Sequence, residues 1–185
     1  MGRKRVENAK MNTAAILDLE VIVATDGWRK AVVAPEEIAA RAARAAYMAA
    51  SPELGRSFEA TVVLTDDAEV RVLNRDYRNE NCATNVLSFP AFDPDDIARL
   101  PANVPLTLGD VVIALETTTA EARADAKTAA DHLSHLVVHG MLHLLGHDHE
   151  TDDEATIMER LEVDVLVQLG VADPYVGADE ARRHE

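Results

Sequence analysis

The chain has 185 residues, a formal charge of −15, 48% hydrophobic residues and only 4% aromatic ones. That length suits one domain with a sizeable core. The charge excludes a protein that grips naked nucleic acid through its overall field, so any such contact must rest on a local basic site or on a partner that supplies charge.

The single cysteine, Cys82, rules out an internal disulfide framework and suits a reducing cytoplasm. The basic start MGRKR resembles a signal peptide only superficially, because Asp18 and Glu20 interrupt the apolar run that follows. No apolar stretch approaches the ~20 residues that span a bilayer. A soluble cytoplasmic protein is expected, with no membrane and no nucleotide cofactor.

In chain order, residues 1–14 read as a flexible polar N-terminus. Ile16–Ala24 alternates apolar and acidic residues and predicts a half-buried strand. Pro35–Ala50 opens on a proline and two acids, a helix entry. Ser57–Asp67 predicts a second strand, Asp67–Arg78 a helix, and Asn85–Pro90 a short strand that Pro90 stops. Pro90–Pro105 reads as a loop, and Leu106–Leu115 as a long strand. Thr117–Asp125, Thr128–Leu145 and Asp152–Leu169 read as helices. A polar tail, 171–185, is expected to fray after Gly170. The pattern predicts a single α+β domain over 15–170. A small mixed sheet of about four strands would pack around a central buried helix.

That central helix is Thr128–Leu145. Its histidines, His132, His135, His139 and His143, share about 80° of arc at ~100° per residue, and the remaining faces are apolar. A polar stripe on a buried helix must have partners, because unpaired buried polar groups are costly. His139 and His143, four apart, point the same way. Gly146 can end the helix in a left-handed turn, and the fold-back can bring His149 to the same point. HGMLHLLGHDH therefore has the spacing of the long zincin motif HExxHxxGxxH, with Gly140 where the protease carries its glutamate. Three imidazoles and an open position describe a catalytic zinc site, with one ion per chain; a histidine-rich core or surface patch is the plainer alternative.

Around that triad, His147 is a possible fourth ligand that is expected to point elsewhere, since a catalytic site keeps a position open. His135 either orients a ligand or touches substrate, or is a buried hydrogen-bonded histidine, and His132 reads as structural. Asp148 either holds an imidazole or is a plain turn residue. Arg71, Arg75 and Arg78 recur on one helix as a local basic strip or a solvated face. Gly140 also lets another backbone approach the helix.

With these residues in view, the sequence resembles the YbeY family of bacterial endoribonucleases of ribosomal RNA maturation. HGMLHLLGHDH is similar to that family's H-G-x-L-H-L-x-G-[YH]-D-H motif. LNRDYRNENCATNVLSFP (Leu73–Pro90), LGDVVIALE (Leu108–Glu116) and ETDDEATIMERLE (Glu150–Glu162) resemble further blocks, in the right order over roughly half the chain. The pattern departs at Cys82 and Ala83, which affects the loop before Asn85. The resemblance implies a zinc ion on His139, His143 and His149, and a functional arginine at Arg78. It also implies a single-strand-specific endoribonuclease of small-subunit (16S) rRNA processing and ribosome quality control, working beside ribosomal proteins or assembly factors. Asn85 and Ser88, within the second block, are further candidates for supporting the site or meeting substrate.

Loss of the glutamate base argues against peptide hydrolysis, whereas RNA can supply its own 2′-hydroxyl. Arg78 would then clamp a phosphate as a planar fork, unless it forms a surface ion pair with Asp76 or Glu80. Two rivals stand beside this. One is another zinc hydrolase, peptidase-like, with Glu116 or Glu150 as its base. The other is a non-catalytic assembly factor with a structural metal.

Overall fold

The computed structural model describes residues 17–50, 57–92 and 105–176. The expected flexible start, most of the proline-rich loop and the last residues of the tail lie outside these. Four strands form one mixed sheet: β1 (Leu17–Val23), β2 (Phe58–Thr65), β3 (Val86–Pro90) and β4 (Leu106–Ala114). The order is β1-β2-β4-β3, with β1/β2 and β2/β4 parallel and β3/β4 antiparallel. β4 is central. Its run of apolar residues from Val111 to Ala114 is wholly buried, as expected of a strand covered on both faces. At the edge, β1 alternates exposed positions with ones that, after the buried Leu17, are half-buried.

Among the described residues, six helices accompany the sheet: α1 (Gly27–Ala31), α2 (Pro35–Ala50), α3 (Asp67–Arg78), α4 (Leu115–Ala124), α5 (Ala129–Leu144) and α6 (Asp152–Leu169). The α1 turn was unassigned in the sequence; it seats Trp28, whose indole N–H donates to the Thr65 carbonyl at 2.9 Å. Successive residues of β4 feed two cores. Val111 and Ile113 join the large cluster with α2, α5 and α6, while Val112 and Ala114 join a small one with Val70 of α3 and Leu87. α5 is the buried central helix, with Leu133, Val137, Val138, Met141 and Leu142 fully enclosed.

Side chains set the helix starts. Asp66 accepts from the Glu69 N–H, and Thr128 accepts from the Asp131 N–H, which makes Thr128 the cap and not the first helical residue. Thr151 and Glu154 form a reciprocal capping box on α6. α4 follows β4 directly at Leu115, two residues earlier than the expected Thr117. The expected fraying after Gly170 does not hold over residues 171–176. The Val171 N–H donates to the Leu166 carbonyl, and Tyr175 turns inward to hydrogen-bond Glu162.

Candidate metal centre

After α5 the chain reverses at Gly146, which has φ of 90°, and the His147 N–H donates to the Leu142 carbonyl at 3.0 Å. A left-handed residue at this point is what glycine supplies most cheaply. The reversal lays His149 beside the last turn of the helix. His139, His143 and His149 each offer a ring nitrogen, and the three nitrogens lie within 4.8 Å of one another. Nε2 of His139 and Nε2 of His143 are 3.1 Å apart. A tetrahedral ion with bonds of ~2.0–2.1 Å sets its nitrogens about 3.3–3.4 Å apart, so these two lone pairs are nearly placed to share one. An all-imidazole donor set fits a borderline cation such as zinc. The cysteine lies elsewhere: Cys82 is exposed in the α3–β3 connection, where Asn74 Nδ2 donates to its carbonyl at 3.0 Å.

One residue that the sequence did not reveal sits behind this triad. Glu162 of α6 is fully buried, and its Oε1 lies 2.6 Å from His139 Nδ1. Its other oxygen is 3.3 Å from His135 Nε2 and also accepts from the Tyr175 hydroxyl. Burial pushes the Glu162 pKa up. The hydrogen bonds from His135 and His139, the His139 charge and the Tyr175 hydroxyl outweigh it and hold the carboxyl at about 2. A carboxylate on Nδ1 fixes the His139 proton there and leaves Nε2 free as a ligand. In turn, burial and the Glu162 charge raise the Tyr175 pKa.

His143 stays neutral through the physiological range. Burial first, then the neighbouring His139 and His149, lower its pKa to about 4, against the opposing charge of Asp148. This carries a pH dependence. With unfolded values near 6.5 for His and 4.5 for Glu, the unfolded chain binds the extra proton at His143 between about pH 6.5 and 4. At Glu162 it does so between about pH 4.5 and 2. Unfolding free energy of the metal-free protein should therefore fall as pH drops through both windows. Urea denaturation from pH 7 to 4 checks this; a flat or rising midpoint would contradict the burial assigned to His143.

The triad opens onto a cleft of about 480 Å³, a volume typical of small-ligand sites. Arg78, Ser88, His143, His147, His149 and Glu150 are among the residues that line it. Arg78, at the end of α3, is exposed, and among the described residues its guanidinium makes only a long 3.5 Å contact, to the Ser88 carbonyl. Of its two expected partners, Asp76 pairs instead with Arg75 at 2.7 Å. Arg75 is thereby directed away from the cleft lining. Arg71 binds the Asn81 side chain at 2.9 Å, so the three arginines do not form one strip facing the triad.

Asn85 is likewise structural in its contacts. Its Nδ2 donates to Glu121 at 3.0 Å and its Oδ1 accepts from the Val86 N–H at 2.7 Å, which anchors the start of β3 to α4. His147 lies in the cleft wall outside the convergent triad, with its pKa lowered by burial. Asp148 accepts from the His149 N–H at 2.8 Å, a turn contact, and its charge still reaches His143. His132 donates from Nε2 to Glu121 at 2.8 Å, about two helical turns before His139. Glu116 accepts from the Asp67 N–H at the start of α3 and is not in the cleft; Glu150 is.

Gly140 is fixed by packing. A Cβ there would lie 2.6 Å from Val111 Cγ1 and 3.1 Å from Ser88 Oγ, and Ser88 Oγ already donates to the Gly140 carbonyl at 3.2 Å. The helix thus rests directly on β3 and β4, and the space a glutamate side chain needs is filled by the sheet. Gly140→Ala should lose about 1–2 kcal/mol net, because overpacking against the rigid Val111 outweighs the gain in helix propensity. Gly140→Glu should lose more, because it also buries a carboxylate. Urea midpoints equal to that of the unchanged chain in both variants would contradict this packing.

The model of a family described as "Endoribonuclease YbeY" matches residues 26–170. A protein of that name from Azorhizobium caulinodans is 51% identical over 160 residues, which cover 86% of this chain and 96% of that protein. Another, from Paramagnetospirillum magneticum, is 46% identical over 159 residues, or 86% of this chain and 96% of the other. Among solved structures, the solution structure of TM1509 from Thermotoga maritima matches with a TM-score of 0.53 at 20% identity. It covers 84% of this chain and 97% of that one, a likeness of fold.

Proposed function

The chain belongs to the YbeY family, and on that premise we propose that it is a zinc-dependent, single-strand-specific endoribonuclease of small-subunit (16S) rRNA maturation and ribosome quality control in the cytoplasm. The observation that carries this reading is one cleft lined both by Arg78 and by His143 and His149, two of the three convergent histidines.

His139, His143 and His149 would hold one zinc ion per chain, and an ion so held supplies a Lewis acid for a phosphoryl oxygen and acidifies water near neutral pH. Arg78 presents a planar fork to the phosphate across the cleft, a geometry that the point charge of lysine does not reproduce. Ser88 lines the same wall with its hydroxyl tied to Gly140, so it shapes the floor beneath the substrate. His147 and Glu150 flank the opening and limit which nucleotide conformations enter. With β3 and β4 filling the position of a glutamate at 140, the peptidase-like alternative would have to rely on Glu150 as its base.

The field of the chain, at −15, opposes RNA, and among the described residues Arg78 is the single arginine or lysine on the cleft wall. Ribosomal proteins or assembly factors that carry positive charge would therefore bring the substrate to it. Two assays test the reading. Zinc-loaded protein should cut labelled single-stranded RNA, spare duplex RNA and leave a peptide library intact; peptide cleavage without RNA cleavage would favour the peptidase-like reading. Cells depleted of the protein should accumulate small-subunit rRNA with unprocessed ends, and normal ends would remove the rRNA assignment.

A further inference from the structure

Glu162 stands on the buried face of α6 with Met158, Val165 and Leu166, a carboxylate in an apolar row. Its side chain is 1% exposed. Among the described residues no lysine or arginine bonds to it; the donors are two histidines and a tyrosine. They divide the two oxygens. Oε1 takes His139 Nδ1 at 2.6 Å, and Oε2 takes His135 Nε2 at 3.3 Å together with the Tyr175 hydroxyl.

Tyr175 comes from outside the helices. Gly170, at φ of 79°, caps α6 and turns the chain back along α5. The Tyr175 N–H donates to Asp173 at 2.8 Å, Lys127 Nζ donates to the Pro174 carbonyl at 3.4 Å, and the Tyr175 ring meets the His135 ring edge-on at 5.9 Å.

We propose that Tyr175 and Glu162 are positioning residues for the metal centre: the segment 171–176 acts as a latch whose tyrosine occupies Oε2 and so keeps Oε1 on His139. This rests on the reading of the histidine triad as a metal site. The physical reason is competition for one carboxylate. A buried carboxylate keeps every donor it can reach. Without the phenol, Oε2 keeps only its 3.3 Å contact with His135, and the group gains by rotating toward that ring, which loosens the grip on Nδ1 of His139. The His139 ring then loses the contact that fixes its tautomer and its aim. Metal affinity thus depends on a segment that contributes no ligand.

The test is the affinity of the full-length chain for zinc(II), measured by competition with a chromophoric chelator, alongside urea denaturation of the metal-free protein. Tyr175→Phe keeps the ring and removes only the hydroxyl, and should weaken zinc binding about tenfold. Glu162→Gln removes the charge and sets a donor against the donors, and should weaken it up to about 100-fold, the range known for groups that orient metal ligands. Long-range proton–nitrogen spectra of the metal-free protein should show the His139 proton on Nδ1 in the unchanged chain, and a mixture of tautomers in either variant. A merely structural role would lower the urea midpoint and leave affinity and tautomer alone, and that result overturns the proposal. Should Glu162→Gln fail to fold, Tyr175→Phe decides alone. If the unchanged chain binds no zinc, the metal reading itself fails; if it binds zinc and both variants bind as tightly, only the latch fails.

Discussion

His143→Ala should yield a folded protein that retains no stoichiometric metal and cuts single-stranded RNA at least about 1,000-fold more slowly, since a catalytic ion contributes several kcal/mol to the transition state. His143 is only half-buried and turns toward the cleft, so its loss opens no cavity in the apolar core around Met141 and Leu142. Two imidazoles would remain, too few for a stable site. The urea midpoint should match that of the metal-free unchanged chain. This comparison separates a catalytic ion from a structural one, because an assembly factor held together by its metal predicts that His143→Ala unfolds. Metal content by elemental analysis, circular dichroism and a gel assay of RNA cleavage give the three readings together.

Arg78→Glu should leave metal content and stability unchanged and lower RNA cleavage by about 100- to 1,000-fold, the usual cost of losing a group that stabilises charge developing in the transition state. The residue is exposed and has a single weak contact among the described residues, so the described fold has little to lose. The substitution also places a carboxylate where the phosphate must come. Arg78→Lys should restore only part of the rate, because it returns the charge without the fork. Cleavage at the unchanged rate in Arg78→Glu would remove Arg78 from the site and return it to the solvated face of α3.

The parts legible in the sequence were those set by short spacing. His139 and His143 are one helical turn apart and Gly146 requires a reversal, so the triad followed from eleven consecutive residues. The strands and helices followed from periodicity, to within a residue or two at most ends. What stayed hidden depends on how distant elements are rotated against each other. Arg71, Arg75 and Arg78 share a helix, yet only the last faces the cleft, because α3 lies over the small core at Val70 and its first turns look elsewhere. Glu162 looked like one more acid in an acidic helix. The available signal was its place in the row Met158, Glu162, Val165, Leu166, where a carboxylate must have buried donors. The donors lie 23 and 27 residues earlier, at His139 and His135. Tyr175 was invisible for the same reason: a polar tail carries no periodic signal, and the inward turn of this side chain is specified by a partner on another element. Gly140 was read chiefly as a missing base. Its contacts with Val111 and Ser88 show a residue selected by the sheet beneath it.

The most direct test of the whole account is a titration. Zinc(II) is added in steps to the metal-free chain while cleavage of a labelled single-stranded RNA is followed. Cutting should be negligible at zero metal and rise with occupancy to a plateau at one ion per chain, with both the rise and the binding lost in His143→Ala. Equal cutting at zero and at full occupancy, or in His143→Ala, would contradict this.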